Sequence, residues 1–296
     1  MSDVPQKLGD RDPPPAPARL PRIVDDPREQ AWLESMVRNN RYVAFIDVLG
    51  YSALLSDHAL TPETVRAQYL YDVWQVMVYA FDRMLLESPN VDAILFSDAA
   101  YLSATELHPV AAAVGILYME LYSWFRGHPE TWLPWLRCAI GHGWIMTVNN
   151  PTSARLAREM ASAGSERGAE VRRRGVFRNP AGPGLYDAYR LAELKEAPGM
   201  RILTARSTFE GLKSPATAPL GPRAASVLAD MIRPPDPRVA VETSAGAVVD
   251  LPWWRAVDDA ATRIAVWREH EWQRGYGNIS RAWEHYDATL ALVGDA

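Results

Sequence analysis

Two aspartates stand where hydrophobes belong. Asp47 lies in the apolar run 41–52, RYVAFIDVLGYS, and Asp98 lies in the run 91–102, VDAILFSDAAYL. A carboxylate in a strand-like apolar run is costly unless it is paired, protonated or bound to a cation. Two such acids on neighbouring strands repel each other, and a divalent cation removes that repulsion. Aspartate oxygens suit Mg²⁺ or Mn²⁺, which keep waters and bind phosphate oxygens. The same residues read equally well as turn caps at strand ends, where aspartate is common. The two acids alone leave both readings open.

The elements that must position them follow from periodicity and punctuation. Asp25-Asp26-Pro27 predicts a short helix over 26–39, ahead of a strand over 42–48 that stops at Leu49-Gly50. Thr61-Pro62 predicts a helix over 61–87 with Val65, Tyr69, Val73, Val76, Met77, Ala80 and Met84 on its inward stripe. The run 91–105 is long for one strand, and Ser97-Asp98 at its middle predicts a hairpin or bulge. A second apolar helix is expected over 109–126. A strand pair is expected over 135–148, with Gly141 and Gly143 allowing close approach or a sharp bend. Residues 151–175 read as a charged helical insertion. The turn 179–184, NPAGPG, opens a helix over 185–196, and 200–204 is a last clear strand. The order β-α-β-β-α-β-α-β predicts an α+β fold, one mixed sheet covered by helices.

Beyond this core the texture changes. Residues 1–25 are rich in proline and charge and read as a disordered tail. Residues 26–213 form the expected main domain, which carries both aspartates. Residues 214–296 read as linker and helical extension: SPATAPLGP and RPPDPR flank a short helix over 223–231, and a tryptophan-rich stretch runs on to 293.

Composition narrows the function classes. A net charge of −5 argues against a broad nucleic-acid surface. No apolar run reaches the roughly 18 residues of a membrane span, and the N-terminal stretch lacks the apolar core of a secretory signal. Cys138 is the one cysteine, which excludes an intrachain disulfide and suits a reducing cytoplasm, the expected location. Cys138 is expected to be buried and inert, and His142 to be packed rather than ligating. No P-loop or nucleophile-elbow pattern occurs. The tryptophans at 253, 254, 267, 272 and 283 fit core or interface packing.

Four segments, in order, carry a resemblance. FIDVLGYS (45–52) resembles the first metal motif of the class III nucleotidyl cyclases, and FSDAAYLS (96–103) is similar to their second. WLRCAIGHG (135–143) resembles the strand that carries their phosphate-binding arginine, and GLYDAYRLAE (184–193) their dimer-interface helix. The fold implied is a class III cyclase-like mixed sheet. Carried over residue by residue, the resemblance implies that Asp47 and Asp98 bind two Mn²⁺ or Mg²⁺ ions, with Val48 adding its carbonyl. Backbone amides of Leu49, Gly50 and Tyr51 would cradle phosphate, and Arg137 would grip a terminal phosphate by a forked contact. Arg190, from the partner subunit of a head-to-tail homodimer, would stabilise charge on the α-phosphate.

The departures narrow the substrate. Tyr186 stands where the family carries its transition-state asparagine, and a phenol can still donate. The adenine-reading pair falls on Ile94, which cannot hydrogen-bond a base edge, and Asn179, which can. These variants are most similar to the pyrimidine cyclases of the bacterial Pycsar anti-phage systems. That likeness implies conversion of UTP, or of CTP, to a 3′,5′-cyclic nucleotide that triggers a separately encoded effector. Phe45 or Tyr51 would fill the pocket beside the smaller base, although Tyr51 equally suits packing. A degenerate cyclase-like module that binds nucleotide without turnover is the alternative of a different class.

Overall fold

The computed structural model describes residues 27, 37–49, 51, 63–96, 99–128, 135–149, 178–195, 197–217, 219–233, 240–243, 246–257 and 287–293. Strand β1 (Val37–Val48) leads to helix α1 (Glu63–Glu87), strands β2 (Asp92–Phe96) and β3 (Ala99–Ala104), helix α2 (Leu107–Gly127) and the long strand β4 (Leu136–Asn149). Then come β5 (Arg178–Ala181), α3 (Pro183–Ala192), β6 (Ile202–Ala205), α4 (Arg206–Leu212) and α5 (Pro222–Ile232). Strands β7 (Ala240–Thr243) and β8 (Gly246–Asp250) and a 3₁₀ turn, Trp253–Ala256, follow, and residues 287–293 are helical. Among the described residues eight strands form one sheet, ordered β2-β3-β1-β4-β6-β8-β7, with β5 pairing onto β4 off that path. The β4–β6 pair is parallel, whereas β1 is antiparallel to both β3 and β4. The mixed α+β sheet expected from the sequence is the one adopted. No helix among the described residues is long and apolar enough to cross a membrane.

Strand alternation divides the sheet's side chains between two faces. Ala44, Ile46 and Val48 of β1 join the larger core, under α1, α2 and α5. Helix α2 is apolar nearly all round and is sealed along Val110–Tyr118, which marks it as a helix at the centre of a core. A Cβ on its Gly115 would lie 2.4 Å from Met231 Sδ and 2.6 Å from Val227 Cγ1, so the missing side chain is what lets α5 nest against it. The expected stripe of α1 is buried at Tyr69, Val73, Val76, Met77, Ala80 and Met84, and Asp72 and Phe81 are buried with it. Trp253 closes this core: it is fully buried, its ring stacks on Tyr122 at 5.2 Å, and its Nε1 donates to the Met200 carbonyl at 2.8 Å.

Three expectations change. The helix expected over 26–39 cannot reach its end, because β1 already begins at Val37. The polar run Arg38–Arg41 lacks period-two alternation, yet it finds partners on β4 across a register shift between Arg38 and Arg41. The expected strand pair over 135–148 is one continuous strand, since its glycines serve approach rather than reversal. A Cβ on Gly141 would lie 2.6 Å from both the Ala188 amide nitrogen and the Gly184 carbonyl oxygen of α3. Finally, the stretch after 214 is not simply linker and helix. Strands β7 and β8 extend the sheet, β8 pairing with β6 from Leu203↔Asp250 to Ala205↔Val248. Buried Asp250 fixes the β6–β8 pairing by accepting from Arg201 Nη1 at 2.9 Å and from the Ile202 amide at 3.1 Å. The tail 1–25, the insertion 151–175 and tryptophans 267, 272 and 283 lie outside the described residues.

Candidate functional site

Phe45 and Asp47 alternate with the core residues of β1, so they lie on the opposite face, where α3 packs. Asp47 is next to last in its strand and half-buried. The register places Ala99 of β3 beside it on one flank and Arg137 of β4 on the other. Asp98 lies outside the described residues, but Ala99 is its chain neighbour. The ladder therefore brings the two acid-bearing segments together at Asp47.

Arg137 is buried, and its guanidinium is engaged within the chain. Nη1 donates to the Ala192 carbonyl at 2.6 Å, and Nη2 donates to the Ala197 carbonyl at 3.3 Å. Ala192 ends α3, so Arg137 caps that helix with a cation at its negative end. Burial pulls the pKa of Arg137 down, while the carboxylates of Glu193 and Asp47 oppose the fall. The expected forked grip on phosphate and this clasp use the same nitrogens, and in this structure the clasp holds them.

The segment after Asp47 also differs from expectation. Val48 is buried and pairs with Leu136, and the Leu49 amide, expected to face phosphate, donates to the Trp135 carbonyl at 2.7 Å. The β1–β4 ladder runs one hydrogen bond past the strand, which commits that donor. Gly50 lies outside the described residues. Tyr51 packs toward the larger core, its ring 6.4 Å from that of Tyr69, so of its two readings the structure gives packing.

Helix α3 begins at Gly182, whose φ of 136° is a conformation glycine alone adopts freely, with Pro183 in its first turn. It buries Gly184, Ala188, Leu191 and Ala192 against the sheet. A Cβ on Gly184 would sit 3.0 Å from the Gly143 backbone, so helix and strand meet main chain to main chain. Tyr186 and Arg190 fall on the outer side. Tyr186 is 59% exposed, and the Arg190 guanidinium carbon lies 5.7 Å from its ring centroid. Burial raises the Asp187 carboxyl pKa, and neighbouring Arg190 works against that rise. Asn179 belongs to β5, where its backbone pairs with Val148, at the other end of β4 from Arg137. One chain thus gathers Phe45, Asp47 and Arg137 on adjoining register positions, with Asn179 at the far end of β4.

Two tyrosines join this face that the motifs did not nominate. Tyr101 of β3 pairs with Phe45 in register, their rings 5.3 Å apart. Tyr189 of α3 meets Phe45 edge-on at 5.5 Å. The alternation in AAYLSA already puts Tyr101 on the face of Ala99, a signal available from sequence. Ile94, buried on β2, is the ladder partner of Tyr101. His142 stacks on Tyr42 at 4.2 Å, a packed histidine as expected. Cys138 is buried, and burial pushes its thiol pKa well up, as an inert cysteine requires.

The Asp47 carboxylate and the main chain beside it are oxygen donors of the type that suits Mg²⁺ or Mn²⁺, cations that take few protein ligands when substrate phosphate supplies the rest. Among the described residues no group of three or more histidine, cysteine, aspartate or glutamate side chains is placed to hold a metal alone.

No family model matches the chain, and no curated protein matches it. Solved structures do. A class III adenylyl cyclase-like ATP-binding protein from Pseudomonas aeruginosa is 13% identical, with a TM-score of 0.43 over 67% of this chain and 40% of that one. The adenylyl cyclase CyaB from P. aeruginosa is 13% identical, with a TM-score of 0.38 over 60% of this chain and 82% of that one. The guanylate cyclase domain of RhGC from Catenaria anguillulae, in complex with GTP, is 13% identical, with a TM-score of 0.39 over 60% and 84%. Likeness at this level fixes neither a substrate nor the role of any residue.

Proposed function

We propose that the protein is a divalent-metal-dependent nucleotide cyclase that converts UTP to 3′,5′-cyclic UMP and pyrophosphate. It works as a head-to-tail homodimer in the cytoplasm, and its product is a second messenger of anti-phage defence acting on a separate effector. The observation that carries the reading is the register at Asp47, with the neighbour of Asp98 on one flank and Arg137 on the other. Four ordered cyclase-like segments fall on β1, the β2–β3 hairpin, β4 and α3. The pyrimidine preference is supported by Ile94, which presents no polar atom to a base edge.

In this reading Asp47, Asp98 and the Val48 carbonyl hold Mn²⁺ or Mg²⁺. When bound, the ions acidify the ribose 3′-hydroxyl and offset triphosphate charge. The 3′-oxygen bonds to the α-phosphorus as the bond from that phosphorus to the bridging oxygen breaks, and pyrophosphate leaves. Arg190 and Tyr186, on the exposed side of α3, reach the α-phosphate of a site across the dimer and donate to the charge that builds there. Arg137 organises α3 from below, and grips a terminal phosphate only on releasing the Ala192 and Ala197 carbonyls.

A second reading, nucleotide binding without turnover, draws support from that engagement of Arg137. Point variants separate the two. Asp47→Ala and Asp98→Ala should each abolish cyclic product, measured by mass, with the fold and dimer intact by circular dichroism and light scattering. Product near the wild-type level in either variant would refute metal ligation. Mixing Asp47→Ala with Arg190→Ala subunits should restore product; no rescue would contradict a shared site.

A further inference from the structure

We infer that Tyr101 and Tyr189, both packed on Phe45, form an aromatic shelf that receives the nucleotide base, their phenol hydroxyls reading its polar edge. The inference rests on the cyclase reading and identifies what selects the substrate at that site. Three separate elements supply the rings: β1 gives Phe45, β3 gives Tyr101 and α3 gives Tyr189. The two contacts to Phe45, at 5.3 and 5.5 Å, join the three rings in one cluster, with Phe45 buried and the tyrosines partly exposed.

An ordinary core cluster looks different in this same molecule. Tyr118 and Tyr122 are sealed, and Tyr118 spends its hydroxyl on the carbonyls of Leu136 and Arg201, each at 3.1 Å. Tyr189, by contrast, is 47% exposed, and Tyr101 is only half-buried. An aromatic surface held open beside a carboxylate suits a flat ring attached to a charged chain, which is what a nucleotide is. Stacking tolerates any base, because every base has a π-face. Discrimination must therefore come from hydrogen bonds at the edge. Ile94, the ladder partner of Tyr101, offers none, so the two phenols carry that task.

Calorimetry on the full-length protein tests this with α,β-methylene analogues of UTP, CTP, ATP and GTP, and with inorganic tripolyphosphate as the base-free probe. Wild type should prefer one base. Tyr101→Phe and Tyr189→Phe should each cut that preference about tenfold, the effect of one lost hydrogen bond. Tripolyphosphate affinity should stay unchanged, which a merely misfolded site would not allow. A base preference within twofold of wild type in both variants would overturn the shelf. Base-selective binding by wild type with no cyclic product would sink the cyclase reading and leave the shelf standing, whereas a folded wild type that binds no nucleotide would sink both.

Discussion

On one face of the sheet Tyr118 and Tyr122 of α2 lie sealed against Trp253, in the core that α2 shares with α1 and α5. On the other, Tyr101 and Tyr189 keep part of their rings at the surface around Phe45, and α3 is the helix that packs there. The polar groups differ in the same way. Buried Asp250 at the end of β8 is fixed by Arg201 and a backbone amide, which ties β8 to β6. Asp47 sits half-buried near the end of its strand, next to an arginine that is busy holding a helix. One region spends its chemistry on cohesion. The other sets a half-buried carboxylate among partly exposed aromatic rings, beside a helix whose Tyr186 is exposed.

That contrast yields tests of decreasing size. Trp253→Ala should cost about 3–5 kcal/mol of stability, as expected for truncating a large buried ring, measured by urea denaturation. Below its melting transition the variant should keep the wild-type base preference, because the loss falls on the sealed face. A changed preference would show that the two faces are not independent. Arg137→Ala should cost less, about 1–3 kcal/mol, since it strands the Ala192 and Ala197 carbonyls. Its signature should be faster hydrogen exchange across α3 and a fall in turnover. Unchanged exchange in α3 with a raised KM for triphosphate would make Arg137 a phosphate ligand rather than a clasp.

Much of the fold was legible because its signals are local. The apolar stripe of α1, the hairpin between β2 and β3 and the buried run of α2 each follow from periodicity and turn residues. The parts that were not legible depend on partners far along the chain. Arg38–Arg41 carries no strand pattern and is strand because β4 is long enough to pair with it. Gly141 and Gly143 look like a bend until α3 is laid against them. The strands β7 and β8 carry a local signal in the valine-rich runs VAVET and GAVVD, but the proline-rich RPPDPR ahead of them has the composition of a linker. At the site, residue identities located Asp47 and Arg137, and strand register alone could set them side by side. The roles of Leu49 and Tyr51 were hidden for the same reason: where a backbone amide or a ring points depends on the ladder and helix beside it.

The most direct test of the central claim is the product spectrum. The purified protein is incubated with UTP, CTP, ATP and GTP in turn, each with Mn²⁺, and the products are resolved by mass. A metal-dependent uridylate cyclase yields 3′,5′-cyclic UMP with an equal amount of pyrophosphate, both lost on chelating the metal. A cyclic purine as the main product would contradict the pyrimidine assignment, and no cyclic product from any of the four by a folded dimer would contradict the enzyme itself.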